Sequence, residues 1–249
     1  MRSSALLTAV AAVALSIGAA APASAAPKLA APGTPVFSGM EIRIDKPIAD
    51  LGVATLATGA KCTLGAVVNS GRALTAGHCG KRGTKIYDKK GAQIGTVTAN
   101  LIGARADISI VSLVRGMSTR VDSIDWGSRV AKGSPVSKTG ITTGTTRGNV
   151  VDPRQKLLTA VECPYPNLVP GSSSLLCAVT PPQLLVNQST YVVESSFKSL
   201  PGDSGAGVRN GSGQIVGIVS SIPQSVDAKG NPIIRSFYTP VSRVPGNLR

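Results

Sequence analysis

Short runs in which apolar and polar residues alternate, each ended by a turn signal, dominate the chain from Glu41 onward. In one clear example, residues 107–113 read Asp-Ile-Ser-Ile-Val-Ser-Leu. Alternation of this kind places apolar side chains on one face of a half-buried strand. Further strand candidates are residues 62–68, 72–76, 85–88 and 93–99. No segment with a helical period continues beyond about two turns, so the pattern predicts an all-β fold.

A second series of strand candidates follows a less regular connection at residues 122–133. Its members are residues 136–140, 148–151, 190–194, 206–208, 214–221 and 233–238. Two clusters of short strands joined by a connection fit two β-barrels packed together. We therefore divide a domain at residues 41–249 into an N-terminal barrel at about 41–121, a linker at about 122–133 and a C-terminal barrel at about 134–249.

The first 25 residues have the pattern of a secretory signal peptide. Arg2 provides the positive end, residues 5–21 are largely apolar, and Ala-Ser-Ala at residues 23–25 fits the small-x-small cleavage rule. The apolar run is short and rich in alanine for a membrane anchor, and no later segment could span a bilayer. Residues 26–40 contain three prolines and are expected to form an extended lead-in or a short pro-segment. The sequence thus predicts a secreted protein, extracellular or associated with the cell wall.

The formal net charge of +14 comes from 26 lysines and arginines against 12 acidic residues. A basic exported protein can bind anionic cell-surface polymers or acidic substrates, and solubility is an equally open explanation. The basic residues are scattered and no aromatic residues are interleaved with them, so a nucleic-acid surface is not indicated. We expect a monomer without stable membrane insertion.

Four cysteines in an exported chain predict two disulfides, for which three pairings are possible. Cys62–Cys79 and Cys163–Cys177 are favoured because each pair closes a short local loop. A metal site is disfavoured because the chain has one histidine and no Cys-x-x-Cys pair. No metal and no organic cofactor are expected.

A serine flanked by glycines is the strongest chemical signal in the chain. Residues 200–207 read Leu-Pro-Gly-Asp-Ser-Gly-Ala-Gly, a sequence that can turn sharply and expose the hydroxyl of Ser204. A serine hydroxyl needs a base to become a nucleophile, and the single histidine, His78, can supply it. Backbone N–H groups at Gly202 and Ser204 are candidate donors to an oxyanion.

A carboxylate on the second ring nitrogen of the histidine would fix its tautomer. Asp107 is our choice, because it begins an alternating strand. Asp88, Asp122 and Asp125 are alternatives in or near the same interval. The order histidine, aspartate, serine excludes the α/β-hydrolases, whose histidine follows the serine. The subtilisin order needs an aspartate before the histidine, and Asp45 and Asp50 could supply it, but the motifs around His78 and Ser204 do not match that family.

Three motifs resemble those of the chymotrypsin/trypsin family, specifically its compact secreted bacterial members. They are Thr-Ala-Gly-His-Cys at residues 75–79, Asp-Ile-Ser-Ile-Val at 107–111 and Gly-Asp-Ser-Gly at 202–205. The resemblance covers residues 41–245. It implies two packed six-stranded antiparallel β-barrels with the active site between them. It also implies a disulfide between Cys62 and Cys79.

The resemblance implies a serine endopeptidase that hydrolyses peptide bonds through an acyl-enzyme. His78 would be the general base and then the acid, Asp107 its orienting carboxylate and Ser204 the nucleophile. The N–H groups of Gly202 and Ser204 would form the oxyanion hole. Two other functions stay open: a catalytically silent binding protein on the protease fold, and an esterase that uses the same triad.

Residues 136–144 resemble a segment of the bacterial members in which a basic residue pairs with the aspartate before the serine. This implies an ion pair between Lys138 and Asp203, with a solvated lysine as the alternative. The chain has no Ile-Val-Gly-Gly start whose freed amine could take that place.

The substrate pocket is only weakly encoded. The resemblance places Ser220 near Asp107 on a strand that lines the substrate groove, and Ile222 where the family usually has glycine. Lys198 lies six residues before Ser204 and is a candidate for the pocket floor. Together these residues predict a narrow, positive pocket for a small or acidic side chain. A Lys198 that points to solvent is the alternative.

Overall fold

The structure, a computed structural model, describes residues 28–48, 56–127, 129–162, 186–221 and 235–249. These residues form fifteen strands: β1 Pro35–Val36, β2 Glu41–Ile48, β3 Leu56–Thr63, β4 Ala66–Asn69, β5 Arg72–Thr75, β6 Lys85–Asp88, β7 Gln93–Asn100, β8 Ser109–Leu113, β9 Ser118–Thr119, β10 Pro135–Gly140, β11 Gly144–Glu162, β12 Val186–Ser195, β13 Gly207–Asn210, β14 Ile215–Ser221 and β15 Ser236–Pro240. Short 3₁₀ turns lie at Gly77–Cys79, Ile102–Ala104, Val241–Arg243 and Gly246–Leu248. No helix of the described chain is long and apolar enough to cross a membrane.

The N-terminal half forms one curled antiparallel sheet with the strand order β3-β2-β6-β7-β8-β5-β4. Its two outer strands, β3 and β4, are consecutive in the chain and separated only by Leu64 and Gly65. The N–H of Leu64 donates to Met40 on the β2 side, while that of Gly65 donates to Leu74 of β5. The segment β3–β4 therefore acts as one bent strand that brings the two edges of the sheet together.

The C-terminal half is a closed six-stranded barrel with the order β10-β11-β12-β15-β14-β13. Every neighbouring pair is antiparallel. Since β3 and β4 count as one bent strand, both halves have six strands, and the predicted two-barrel, all-β fold is confirmed.

Each half has its own apolar core, built from the inward faces of its strands. The N-terminal core is aliphatic, with fully buried side chains such as Ile42, Ile86 and Ile110. The C-terminal core contains the stacked rings of Phe197 and Tyr238, whose centroids lie 6.5 Å apart. Branched aliphatic residues dominate both cores, as expected for side chains that pack on a pleated surface.

Residues 28–40 lie along the N-terminal sheet. Leu29 forms an isolated parallel bridge with Gln93, and β1 pairs in parallel with β9. Val36 of β1 is completely buried. The lead-in thus extends the N-terminal unit, and a pro-segment role for residues 26–40 stays a prediction.

A buried carboxylate joins the two barrels. Asp122 accepts hydrogen bonds from the N–H of Val67, from Ser38 Oγ and from Arg209 Nη2, at 2.8, 2.9 and 2.5 Å. The Asp122 side chain is 4% exposed and that of Arg209 is 31% exposed, so the carboxylate is shielded from water while the guanidinium is partly solvated. Asp122 therefore anchors the linker to both halves and fixes how the two barrels meet.

Candidate active site

The histidine is held on a 3₁₀ turn that leaves β5. Cys79, at the end of that turn, is fully buried and bonded to Cys62 of β3, so the structure contains this disulfide. A Cβ at Gly77 would lie 2.7 Å from Ile102 Cγ1 and 3.0 Å from Asp107 Oδ1. Glycine is required there because it lets the turn approach the carboxylate closely.

Asp107 contacts His78 with both carboxylate oxygens. Oδ1 accepts the backbone N–H of His78 at 2.8 Å, and Oδ2 lies 2.8 Å from its Nδ1. Ser220 Oγ donates to the same Oδ2 at 2.5 Å. The carboxylate therefore holds the turn and the imidazole ring together.

Asp107 is 4% exposed, and burial by itself would raise its carboxyl pKa. The charge of His78 and the hydrogen bonds from His78 and Ser220 outweigh that effect, so the pKa lies below its ordinary value. Asp107 therefore stays ionised at neutral pH.

Two polar residues that the sequence analysis did not identify hold the histidine turn through its backbone carbonyl oxygens. The amide of Asn100 donates to the carbonyl oxygens of Gly77 and Gly80 at 2.7 and 2.8 Å. Ser109 Oγ donates to the same Gly80 oxygen at 2.8 Å. Both residues occupy strand ends, and a polar residue at a strand end is too common to be a signal by itself.

The serine turn is held between the two barrels. The carbonyl oxygen of Ser204 accepts the N–H of Thr63 in the N-terminal barrel at 2.8 Å. The N–H of Gly205 donates to Val219 of β14 at 2.9 Å. A Cβ at Gly205, where φ is +89°, would collide with Thr75 Oγ1 and the Thr63 oxygen, so glycine is required.

The turn also presents two backbone donors. Gly202 has a φ of +100°, and the hydroxyl of Thr63 donates to its carbonyl oxygen at 2.9 Å. Neither the N–H of Gly202 nor that of Ser204 donates to an acceptor in the described part of the chain. This arrangement can receive an oxyanion beside Ser204.

Asp203 lies below the serine turn and is paired with Lys138. Lys138 Nζ is 2.9 Å from Asp203 Oδ2, both side chains have no exposed surface, and the predicted ion pair is confirmed. Lys138 Nζ also contacts the hydroxyl of Thr143. Oδ1 of Asp203 accepts the N–H groups of Thr142 and Thr143 at 2.9 and 3.2 Å, and Oδ2 accepts that of Leu200 at 3.0 Å.

Burial by itself would raise the pKa of the Asp203 carboxyl. Hydrogen bonds from Thr143, Lys138 and the backbone outweigh burial and hold that pKa below its ordinary value. An ionised Asp203 therefore anchors the loop that carries the oxyanion donors.

The predicted pocket residues fall in different places. Ser220 is buried against Asp107, as the resemblance implied. Lys198 is exposed, and its carbonyl oxygen accepts the hydroxyl of Thr146 at 2.8 Å. Ile222 and the pair Cys163–Cys177 lie outside the described residues.

One cluster in the described chain has the composition of a metal site. Ligand atoms of Cys62, His78 and Cys79 lie within 4.8 Å of one another. Both sulfurs belong to the disulfide, so they cannot act as thiolate ligands. This cluster therefore belongs to the histidine turn.

A family model described as Trypsin matches residues 51–245. The chain belongs to the trypsin family. Its membership makes the protein a serine-type endopeptidase, a hydrolase of peptide bonds. The match includes the histidine turn, Asp107 and the serine turn.

Solved structures of bacterial proteases share the trypsin-family fold of this chain. The chymotrypsin of Cellulomonas bogoriensis is 22% identical with a TM-score of 0.50, and the alignment covers 84% of this chain and 93% of that one. Nocardiopsis protease is 22% identical with a TM-score of 0.52 and the same coverages. The active form of protease Rv3671c from M. tuberculosis is 16% identical with a TM-score of 0.55, over 85% of this chain and 79% of that one. No curated protein matches the chain.

Proposed function

We propose that this trypsin-family protein is a secreted endopeptidase whose triad is His78, Asp107 and Ser204. The observation that carries the proposal is the double contact of Asp107 with the backbone N–H and Nδ1 of His78. A buried carboxylate in this position selects the tautomer whose Nε2 can accept a proton. The same carboxylate stabilises the imidazolium that forms.

In the proposed reaction, Ser204 Oγ attacks the carbonyl carbon of the substrate while Nε2 of His78 takes the hydroxyl proton. The N–H groups of Gly202 and Ser204 stabilise the oxyanion of the tetrahedral intermediate. His78 then gives its proton to the departing amine, which leaves an ester on Ser204. Water, activated by His78, hydrolyses this acyl-enzyme and restores the hydroxyl.

The Lys138–Asp203 pair supports a serine turn that is already assembled in this chain. A cation is needed beside Asp203 because an unpaired buried carboxylate is strongly unfavourable. Lys138 supplies that cation from β10. The proposed enzyme therefore needs no newly freed amino terminus at this position.

Secretion is part of the proposal. It rests on the signal-peptide pattern of residues 1–25 and on the Cys62–Cys79 disulfide, a bond that persists in oxidising compartments. The strong positive charge is compatible with association with anionic cell-surface polymers. A protein or peptide is the expected substrate.

The variant Asp107→Asn tests the triad. An amide in place of the carboxylate favours the wrong histidine tautomer, so we expect kcat for peptide hydrolysis to fall by about 10⁴-fold. Cleavage of internally quenched peptides, with products identified by mass spectrometry, gives the rate. Asp125→Asn is the matched control, because it makes the same change from carboxylate to amide in the linker. There Asp125 Oδ1 accepts the N–H of Gly127.

A loss smaller than about tenfold in Asp107→Asn would contradict the role of Asp107. Parallel assays with a peptide and an ester of the same acyl group separate the alternatives. Turnover of the ester alone would identify an esterase, and turnover of neither would identify a catalytically silent binding protein.

A further inference from the structure

A cavity of about 780 Å³ lies between the C-terminal barrel and the linker. Its walls come from the linker, from β11, β12, β14 and β15, and from the 3₁₀ turn at Val241–Arg243. The described residues that line it include no member of the candidate triad or of the serine turn. Sites for small organic ligands have volumes of about 300–1,000 Å³. The cavity therefore has the size of a ligand site and does not share residues with the candidate active site.

Part of the cavity wall is apolar. Val193 and Val216 line it, and both are buried members of the C-terminal core. Val130 of the linker and Pro240 at the end of β15 add further apolar surface. A hydrocarbon group that contacts these side chains would be removed from water, and this favours binding.

The charged side chains of the lining are all positive. Arg129, Arg154 and Arg243 line the cavity, and none of its described lining residues is acidic. Arg154 is paired with Asp152 at 2.9 Å, so it adds little attraction for an anion. Arg129 is exposed, and neither Arg129 nor Arg243 forms an ion pair within the described ranges. These two cations favour an anionic group in the occupant.

Arg243 is held in place by other residues of the lining. Its guanidinium lies over the ring of Tyr191, 3.9 Å from the centroid, and its Nε donates to Gln155 Oε1 at 2.6 Å. Its two terminal nitrogens donate to no acceptor in the part of the chain that the structure describes. A guanidinium presents its donors in a planar fork that matches a carboxylate. Because the side chain is already positioned, little of its freedom is lost when an anion binds.

We infer that this cavity is a binding site for an aliphatic carboxylate, in which an apolar chain carries a single anionic group. Arg243 and Arg129 would bind the carboxylate, and the chain would lie against Val193 and Val216. A ligand in this position contacts both the linker and the barrel, so its binding stabilises the folded protein. The inference goes beyond the proposed function and does not require Ser204 to be reactive.

Isothermal titration of the full-length Ser204→Ala variant with octanoate tests the site, because this variant cannot form an acyl-enzyme. Acetate carries the anion without the chain, and octan-1-ol carries the chain without the charge. We expect octanoate to bind saturably at one site, with a Kd at least about tenfold below that of either comparison ligand.

Two arginine substitutions, made in the Ser204→Ala background, locate the site. Arg243→Met should weaken octanoate binding by about tenfold, and Arg129→Met, at an exposed position, by about threefold. Neither should change the affinity for octan-1-ol. The matched control is Arg147→Met, which removes the same charge from an exposed position on β11 outside the lining. This control should keep the full affinity for octanoate.

Urea unfolding shows whether Arg243→Met is folded. Arg129→Met keeps the inference testable if it is not, because the exposed Arg129 side chain is not part of a core. Octanoate that binds no more tightly than octan-1-ol, or an equal loss of affinity in Arg147→Met, would overturn the inference. A parent protein that binds octanoate as expected but hydrolyses no peptide would support the inference and contradict the proposed function.

Discussion

Replacing His78 with alanine should lower kcat for peptide hydrolysis by about 10⁶-fold. His78 is the chain's single histidine, so no other imidazole can take the Ser204 proton. Asp107 contacts its Nδ1 and holds the ring in place. The rate is measured with an internally quenched peptide at enzyme concentrations high enough to detect slow turnover.

Folding of the His78→Ala variant is checked separately, by urea unfolding followed through the fluorescence of the single tryptophan, Trp126. The His78 side chain is 26% exposed, so its truncation leaves no closed cavity in a core. A folded variant that retained more than about one hundredth of the parental kcat would show that His78 is not the base.

Replacing Lys138 with methionine should lower the free energy of unfolding by about 3–5 kcal/mol at neutral pH. Methionine keeps much of the buried volume but leaves the carboxylate of Asp203 without its cation. Both side chains of the pair have no exposed surface, so water cannot take the place of the ammonium group. Urea unfolding of parent and variant measures the difference.

The difference in the free energy of unfolding between the parent and Lys138→Met should narrow on acidification. In the parent, the hydrogen bonds from Thr143, Lys138 and the backbone hold the native pKa of the Asp203 carboxyl below its ordinary value. Its contribution to stability is therefore complete above about pH 5 and is lost as the pH falls through the lower native pKa. In Lys138→Met the carboxyl of native Asp203 binds a proton more readily. The free energy of unfolding of the variant therefore falls less on acidification than that of the parent.

Lys156→Met is the matched control for Lys138→Met. Lys156 forms ion pairs with Asp152 and Glu194, but it is 47% exposed, and such pairs contribute little. The free energy of unfolding of Lys156→Met should differ from that of the parent by a small fraction of the loss in Lys138→Met. Equal losses in the two variants would contradict a special role for the buried pair.

The two-barrel fold was predictable where strands are short and alternate. Residues 109–113 and 215–221 form β8 and β14, and these ranges lie within two residues of the predicted strands at 107–113 and 214–221. Only residues 148–151 of the long strand β11 were predicted, because residues 152–156 are polar and include Pro153. Register shifts between Val150 and Lys156 accommodate these residues, and irregularities of this kind leave no periodic signal.

The lead-in shows a second limit of sequence reasoning. Its prolines indicated an extended segment, but the pairing of β1 with β9 joins positions about eighty residues apart. Parallel pairing between such distant segments is determined by tertiary packing.

The triad candidates were predictable because each lies in a short local motif. The residues that support them were harder to find. Asn100 and Ser109 hold the histidine turn through contacts with Gly77 and Gly80, and nothing in their local sequence marks this role. Lys138 was predictable from its resemblance to a bacterial segment, and it pairs with Asp203.

The central claim is that Ser204 is an activated nucleophile beside a formed oxyanion hole. Intact mass of the folded protein after exposure to a fluorophosphonate, beside Ser204→Ala, tests it most directly. The account predicts one adduct on the parent, located on Ser204, and none on the variant. A folded parent that gains no adduct, or a variant labelled as fast as the parent, would contradict it.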